Sequence, residues 1–190
     1  MRIIAGRFGG RKLPAAVPPG ARPTSDRVRE ALFSMLEARQ AVAGAHVLDL
    51  YAGTGALGLE ALSRGAASLT AVDKEPRALA AIRRNAAALD PSAPVHCVRG
   101  DVGNLSWTKL KTKNPSIAPF GLVLMDPPYA DLATATKWLQ RLTDEPWLCP
   151  DGLISVEMGA SSTLQLPQTL IELRRQHYGD TAIVLLAAIN

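Results

Sequence analysis

Cysteine is nearly missing from this chain. Cys97 and Cys149 are the only two, and neither belongs to a Cys-x-x-Cys. That leaves no sequence basis for a disulfide framework or a thiolate metal site, so two reduced thiols are expected. Histidine is sparse as well. His46, His96 and His177 stand apart from one another and read as structural, and no metal is expected. No apolar run approaches the ~18–20 residues that a bilayer-spanning helix needs. The opening Met1-Arg2-Ile3-Ile4-Ala5-Gly6 lacks the apolar stretch of a signal peptide, so the cytoplasm is the expected location.

What is present suits an ordinary globular protein: 47% hydrophobic and 20% charged residues over 190 positions. The charge is unevenly spread. Residues 1–40 carry eight Lys and Arg against three acids, whereas the remainder carries 13 against 14. The excess positive charge therefore lies in the N-terminal segment, which suggests a polyanionic partner. On this basis the chain divides into a basic extension, residues 1–40, and a main domain, residues 41–190.

In the extension, Arg2–Gly6 and Arg11–Ala15 can pair as a short hairpin. Pro14, Pro18, Pro19, Gly20 and Pro23 exclude helix up to Thr24 or Ser25, either of which can cap a helix over about 25–39. Val28, Leu32, Met35 and Leu36 give that helix one apolar face. From residue 45 strands and helices alternate. Strands are expected over 45–51, 68–73, 93–100, 120–129 and 152–158, with helices over 56–64, 76–89 and 132–143. Such alternation predicts an α/β fold, a doubly wound and mostly parallel seven-stranded sheet. Two final extended runs around Tyr178-Gly179-Asp180 predict a C-terminal antiparallel hairpin. Residues 106–119, rich in lysine, read as a mobile basic loop.

Gly53-x-Gly55-x-x-Gly58 sits where the first strand meets the first helix of the main domain. This spelling permits a sharp turn and close approach of a nucleotide, but does not by itself say which one. Asp49 comes just before it. A carboxylate there repels a pyrophosphate and favours S-adenosylmethionine, whose ammonium and sulfonium are cationic. Asp73, ending the second strand, can accept from both ribose hydroxyls of either ligand. Asp101 can accept from an adenine amine, or cap the short helix beginning at Val102. Asp126-Pro127-Pro128-Tyr129 ends the fourth strand. Two prolines stiffen it and remove two N–H donors. Asp126 adds an acceptor and Tyr129 a flat ring, a set that suits the exocyclic amine of a planar base.

In their order, Asp49-x-x-x-Gly53-x-Gly55, Asp73, Asp101 and Asp126-Pro127-Pro128-Tyr129 resemble a Rossmann-like class I S-adenosylmethionine-dependent methyltransferase. More narrowly, "RIIAGRFGGRKL", "RPTSDRVREALFSML", "DLYAGTGALGLEALSRGA", "VLMDPPY" and "YGDTAIVLL" resemble the RsmD family, bacterial 16S ribosomal RNA guanine-N2 methyltransferases. The resemblance implies a cofactor site of Asp49, Tyr51, Ala52, Gly53, Gly55, Asp73, Lys74, Asp101 and Val102, covered by Arg22 and Thr24. It implies that Asp126, Pro127, Pro128 and Tyr129 hold the target amine, and that Arg2, Arg7, Arg11, Lys12 and Arg27 contact RNA. The expected partner is 16S ribosomal RNA within a small-subunit assembly particle, met by a monomer away from any membrane. Rival readings are an N6-adenine methyltransferase acting on DNA or RNA, and an NAD-dependent oxidoreductase.

Overall fold

The computed structural model describes residues 1–15, 25–114, 117–128, 131–141 and 145–189. Five helices and seven strands follow in the order α1 (Asp26–Glu37), β1 (His46–Leu50), α2 (Ala56–Ser63), β2 (Ser68–Asp73), α3 (Pro76–Leu89), β3 (Val95–Arg99), α4 (Trp107–Lys113), β4 (Phe120–Met125), α5 (Leu132–Arg141), β5 (Leu148–Gly159), β6 (Leu170–Tyr178) and β7 (Thr181–Ala188). The strands form one sheet in the order β3-β2-β1-β4-β5-β7-β6. β1 to β5 run parallel, and β7 is antiparallel to both of its neighbours. The expected doubly wound sheet and closing hairpin are both present. The direction in which successive strands are added reverses between the parallel neighbours β1 and β4, where Leu50 pairs with Met125. A crevice at such a switch point is where open α/β sheets hold ligands.

The central strands β1, β2 and β4 are buried on both faces of the sheet. One face packs Val28, Leu32, Phe33 and Leu36 of α1, Leu59 and Leu62 of α2, and Leu79 and Ile82 of α3. The other packs Leu110 of α4 and Ala135, Trp138 and Leu139 of α5. On that second face Trp107, Trp147 and Trp138 meet edge to face in sequence, with centroids 5.6 and 5.2 Å apart, a favoured aromatic arrangement.

Two local expectations need correcting. Residues 107–113 are helix, not loop: Ser106 caps α4 by accepting from the Lys109 N–H, and Leu110 is fully buried beneath it. The cap and one buried leucine outweigh the neighbouring cations, since Lys109 and Lys111 stay exposed and donate to the Asn104 and Ile117 carbonyls at 3.2 and 2.9 Å. The N-terminal hairpin is also slighter than expected. Only Arg2 and Lys12 form a ladder bridge, and a 3-10 turn at Gly6–Phe8 takes the place of a tight reversal. The expected helix over 25–39 forms as α1, with Ser25 accepting from the Val28 N–H.

Candidate active site

Residues from β1, β2 and β4 converge at the carboxyl edge of the sheet. The turn after β1 is tightly defined. Tyr51 takes a left-handed φ of 60°, and Gly55, at φ 80°, caps α2. Ala52 donates its N–H to the Val72 carbonyl and Gly55 its N–H to the Ala52 carbonyl, at 3.1 and 2.7 Å. A Cβ at Gly58 would collide with Leu69 and come within 2.9 Å of the Asp49 carboxylate. Gly58 is therefore a packing glycine that lets α2 approach β1 and β2. At Gly53 the opposite holds: an added Cβ would meet nothing nearer than 3.9 Å. That glycine borders the open space where a ligand can approach the backbone.

Three carboxylates surround this loop, on the adjacent strands β2 and β1 and just after β4. Asp73 accepts from the Gly53 N–H through Oδ2 and from the Glu75 N–H through Oδ1, both at 2.9 Å. A carboxylate has about four acceptor positions, so each oxygen keeps one for a ligand hydroxyl. Asp49 is 1% exposed and accepts from the Gly58 N–H at 3.0 Å. Burial pushes its carboxyl up to about 7; the Gly58 bond opposes the rise, and Asp126 and Asp73 add to it. Asp126 follows β4 directly. The set favours a cation and hydroxyl or amine donors, and disfavours a diphosphate.

Asp101 accepts from the Gly103 N–H at 2.9 Å and caps the 3-10 turn Val102–Asn104, with Val102 buried. A cleft of about 190 Å³ opens beside it, lined by residues that include Val98, Gly100, Asn104, Lys109 and Leu110. Lys74 is exposed, and its carbonyl accepts from the Arg99 side chain at 3.4 Å. Tyr51 packs its ring against the second core, with a buried hydroxyl that finds no partner among the described residues. Burial, then Asp131 and Asp101, raise its ionisation far above the phenolic range. Pro127 and Pro128 border a recess completed by Leu132, Met158, Gly159 and Ser162. The β5 contribution to that recess escaped the sequence reading, because no charged or glycine-rich signature marks it. Tyr129, Arg22 and Thr24 lie outside the described residues.

The basic residues of the extension separate by position. α2 and α3 begin at the site edge and end at the opposite edge of the sheet. The hairpin turn reaches that far end: Phe8 donates its N–H to Ser63, and Arg11 donates to the Leu89 and Ala88 carbonyls at 2.8 Å. Arg7 pairs with Asp90 at 3.5 Å. Arg2 pairs with Asp26 at 3.1 Å, while Lys12 and Arg27 are exposed. Sequence reading missed what holds the extension down. Glu60, fully buried on α2, accepts from the Ile4 and Ala5 N–H groups and from Arg64 Nε, and faces Arg29 at 3.7 Å. Its signal was a lone acid inside the otherwise apolar "ALGLEAL".

A seven-stranded sheet with β7 inserted antiparallel between β5 and β6, a glycine turn after β1 and an acid closing β2 defines the class I methyltransferase fold. Within that class, the family model described as Conserved hypothetical protein 95 matches residues 1–187. Ribosomal RNA small subunit methyltransferase D of Escherichia coli K12 is 36% identical over 157 residues, spanning 83% of this chain and 74% of its own. Its namesake from Haemophilus influenzae is 34% identical over 180 residues, covering 94% and 89%. Among solved structures, the Escherichia coli protein yhhF superposes with a TM-score of 0.80 at 34% identity, covering 99% of this chain and 97% of its own. The chain belongs to this family, the RsmD family.

Proposed function

We propose that this protein transfers a methyl group from S-adenosylmethionine to the exocyclic N2 amine of a guanine in 16S ribosomal RNA. The observation that carries the reading is the junction of Asp126-Pro127-Pro128 with the glycine turn. The first follows β4, the second follows β1, and the two strands are paired at the switch point. The names of the relatives support ribosomal RNA as the substrate class.

The residues present fit the cofactor. Gly53 faces open space, Asp73 retains acceptor capacity for ribose hydroxyls, and the three carboxylates suit a cationic ligand. When bound, S-adenosylmethionine supplies a methyl group already activated on a sulfonium. Asp49, Tyr51, Ala52, Gly53, Gly55, Asp73, Lys74, Asp101 and Val102 hold it, and Arg22 and Thr24 cover it. The chain's own work is positional. The Asp126 carboxylate and Pro127 carbonyl accept from the amine and fix its lone pair, and Tyr129 stacks on the base. Orientation of this kind supplies ~7–11 kcal/mol. Arg2, Arg7, Arg11, Lys12 and Arg27, in the extension of residues 1–40, contact RNA phosphates.

The test is transfer of labelled methyl into ribosomal RNA from cells lacking the protein, followed by mapping of the modified nucleoside by mass spectrometry. N2-methylguanosine is expected, and N6-methyladenosine would replace the guanine reading. Asp126→Ala should lower turnover at least ~100-fold, as loss of one preorganised polar contact does, while cofactor binding persists. Near-normal turnover would remove the amine site from this corner.

A further inference from the structure

Most arginines near the extension are occupied inside the molecule. Arg29 and Arg64 face Glu60, Arg11 binds the end of α3, and Arg2 pairs with Asp26. The arginines of α3 differ. Arg77, Arg83 and Arg84 are exposed, and among the described residues none makes a hydrogen bond or ion pair. Between them α3 exposes only Pro76, Ala80, Ala87 and Ala88, and the helix contains no acid.

Arg77 and Arg84 are seven residues apart, so they project within about 20° of each other and about 10 Å apart along the axis. Arg83 flanks them. Small alanines between the cations let a polymer backbone come close. α3 begins three residues after Asp73, so Arg77 and exposed Lys74 stand at the site edge. The far end of α3 meets Arg11 and Arg7, and exposed Lys12 adjoins Arg11. β2 and β4 are two strand spacings apart, about 10 Å, so a chain lying on this face passes within a few nucleotides of the target corner.

We propose that the outer face of α3 is a track for the phosphate backbone of the RNA flanking the target nucleotide. The inference rests on the RNA-methylating function above and extends the contact surface beyond the N-terminal segment. The face has no aromatic or aliphatic anchor of the kind that carries protein interfaces. Phosphates need none, because clustered cations gain by releasing condensed counterions. Such contacts place the strand without reading its sequence.

The experiment uses the full chain with Arg77, Arg83 and Arg84 replaced together by alanine, a substitution that favours helix. Binding of a protein-free 16S RNA fragment containing the target is measured by anisotropy over a salt series, with methyl transfer and S-adenosylhomocysteine affinity in parallel. The slope of log K against log salt should shrink by about 2, or ~0.7 for each lost contact. RNA affinity near physiological salt should fall at least tenfold. S-adenosylhomocysteine affinity and turnover at saturating RNA should stay within about twofold. An unchanged slope in a variant whose parent methylates RNA overturns the track alone. A parent that methylates no RNA overturns the function on which it rests. A variant that binds naked RNA normally but loses the assembled particle would assign the face to a protein and overturn the track equally.

Discussion

Asp49 combines burial, a single backbone bond and two neighbouring carboxylates, and its carboxyl rises to about 7. Unfolded, the same group titrates near ~3.9. The folded protein therefore holds this proton more tightly than the unfolded chain. The stability that Asp49 contributes is complete below about pH 4 and is lost as pH rises toward 7. Asp49→Asn, which keeps an acceptor for the Gly58 N–H, should melt higher than the parent at pH 8. Below pH 4 that advantage should vanish in thermal melts; parallel pH profiles would refute the assignment. The same proton links to the proposed cofactor: a cation beside Asp49 favours ionisation, so affinity by calorimetry should increase from pH 5.5 to 7. Tyr51 gives a second prediction. Its hydroxyl is buried without a partner among the described residues, a burden of about 1–3 kcal/mol. Tyr51→Phe should stabilise the ligand-free protein by about 1 kcal/mol in urea titrations, whereas loss of stability would mean that the hydroxyl is bonded in solution.

The elements differ in how plainly the sequence announces them. β2 and α3 have the bounds that the sequence predicts, since Leu69, Thr70, Ala71 and Val72 form an unbroken buried run within Ser68–Asp73 and Pro76 marks a helix start. α4 was illegible because "WTKLKTK" offers only Trp107 and Leu110 as apolar positions, and their burial depends on β4 and α5 rather than on local pattern. The glycine turn and Asp126-Pro127-Pro128 were legible because each restricts the backbone by its own chemistry. The recess wall from Met158, Gly159 and Ser162 was not, since pairing of β4 with β5 creates it. Nor could spacing reveal that Glu60 of α2 joins segments more than fifty residues apart. Glu60→Gln leaves Arg29 with Asp26 as its one remaining carboxylate among the described residues and takes a buried partner from Arg64 as well, and removing one member of a buried pair costs about 3–5 kcal/mol. Chemical denaturation should show a loss of that size. A change below about 1 kcal/mol would mean that the extension is held by its other contacts, such as Phe8 to Ser63 and Arg11 to the end of α3.

Across the whole molecule, one sheet separates two tasks. The carboxyl edge gathers the proposed chemistry, and the helices on the first face carry the extension and the exposed arginines. Net charge alone located the positive excess in residues 1–40 but could not say which cations are spent internally. Folding settles that: Arg29 and Arg64 turn inward, and the cations of α3 turn outward. The position of β7 has a consequence for synthesis. It follows β6 in the chain yet lies between β6 and β5, so β6 has no neighbour to zip onto until β7 has left the ribosome. Until then β5 offers a bare hydrogen-bonding margin to any other nascent polypeptide, and a chain cut at Gly179 should be captured by chaperones or precipitate rather than wait as a shortened enzyme.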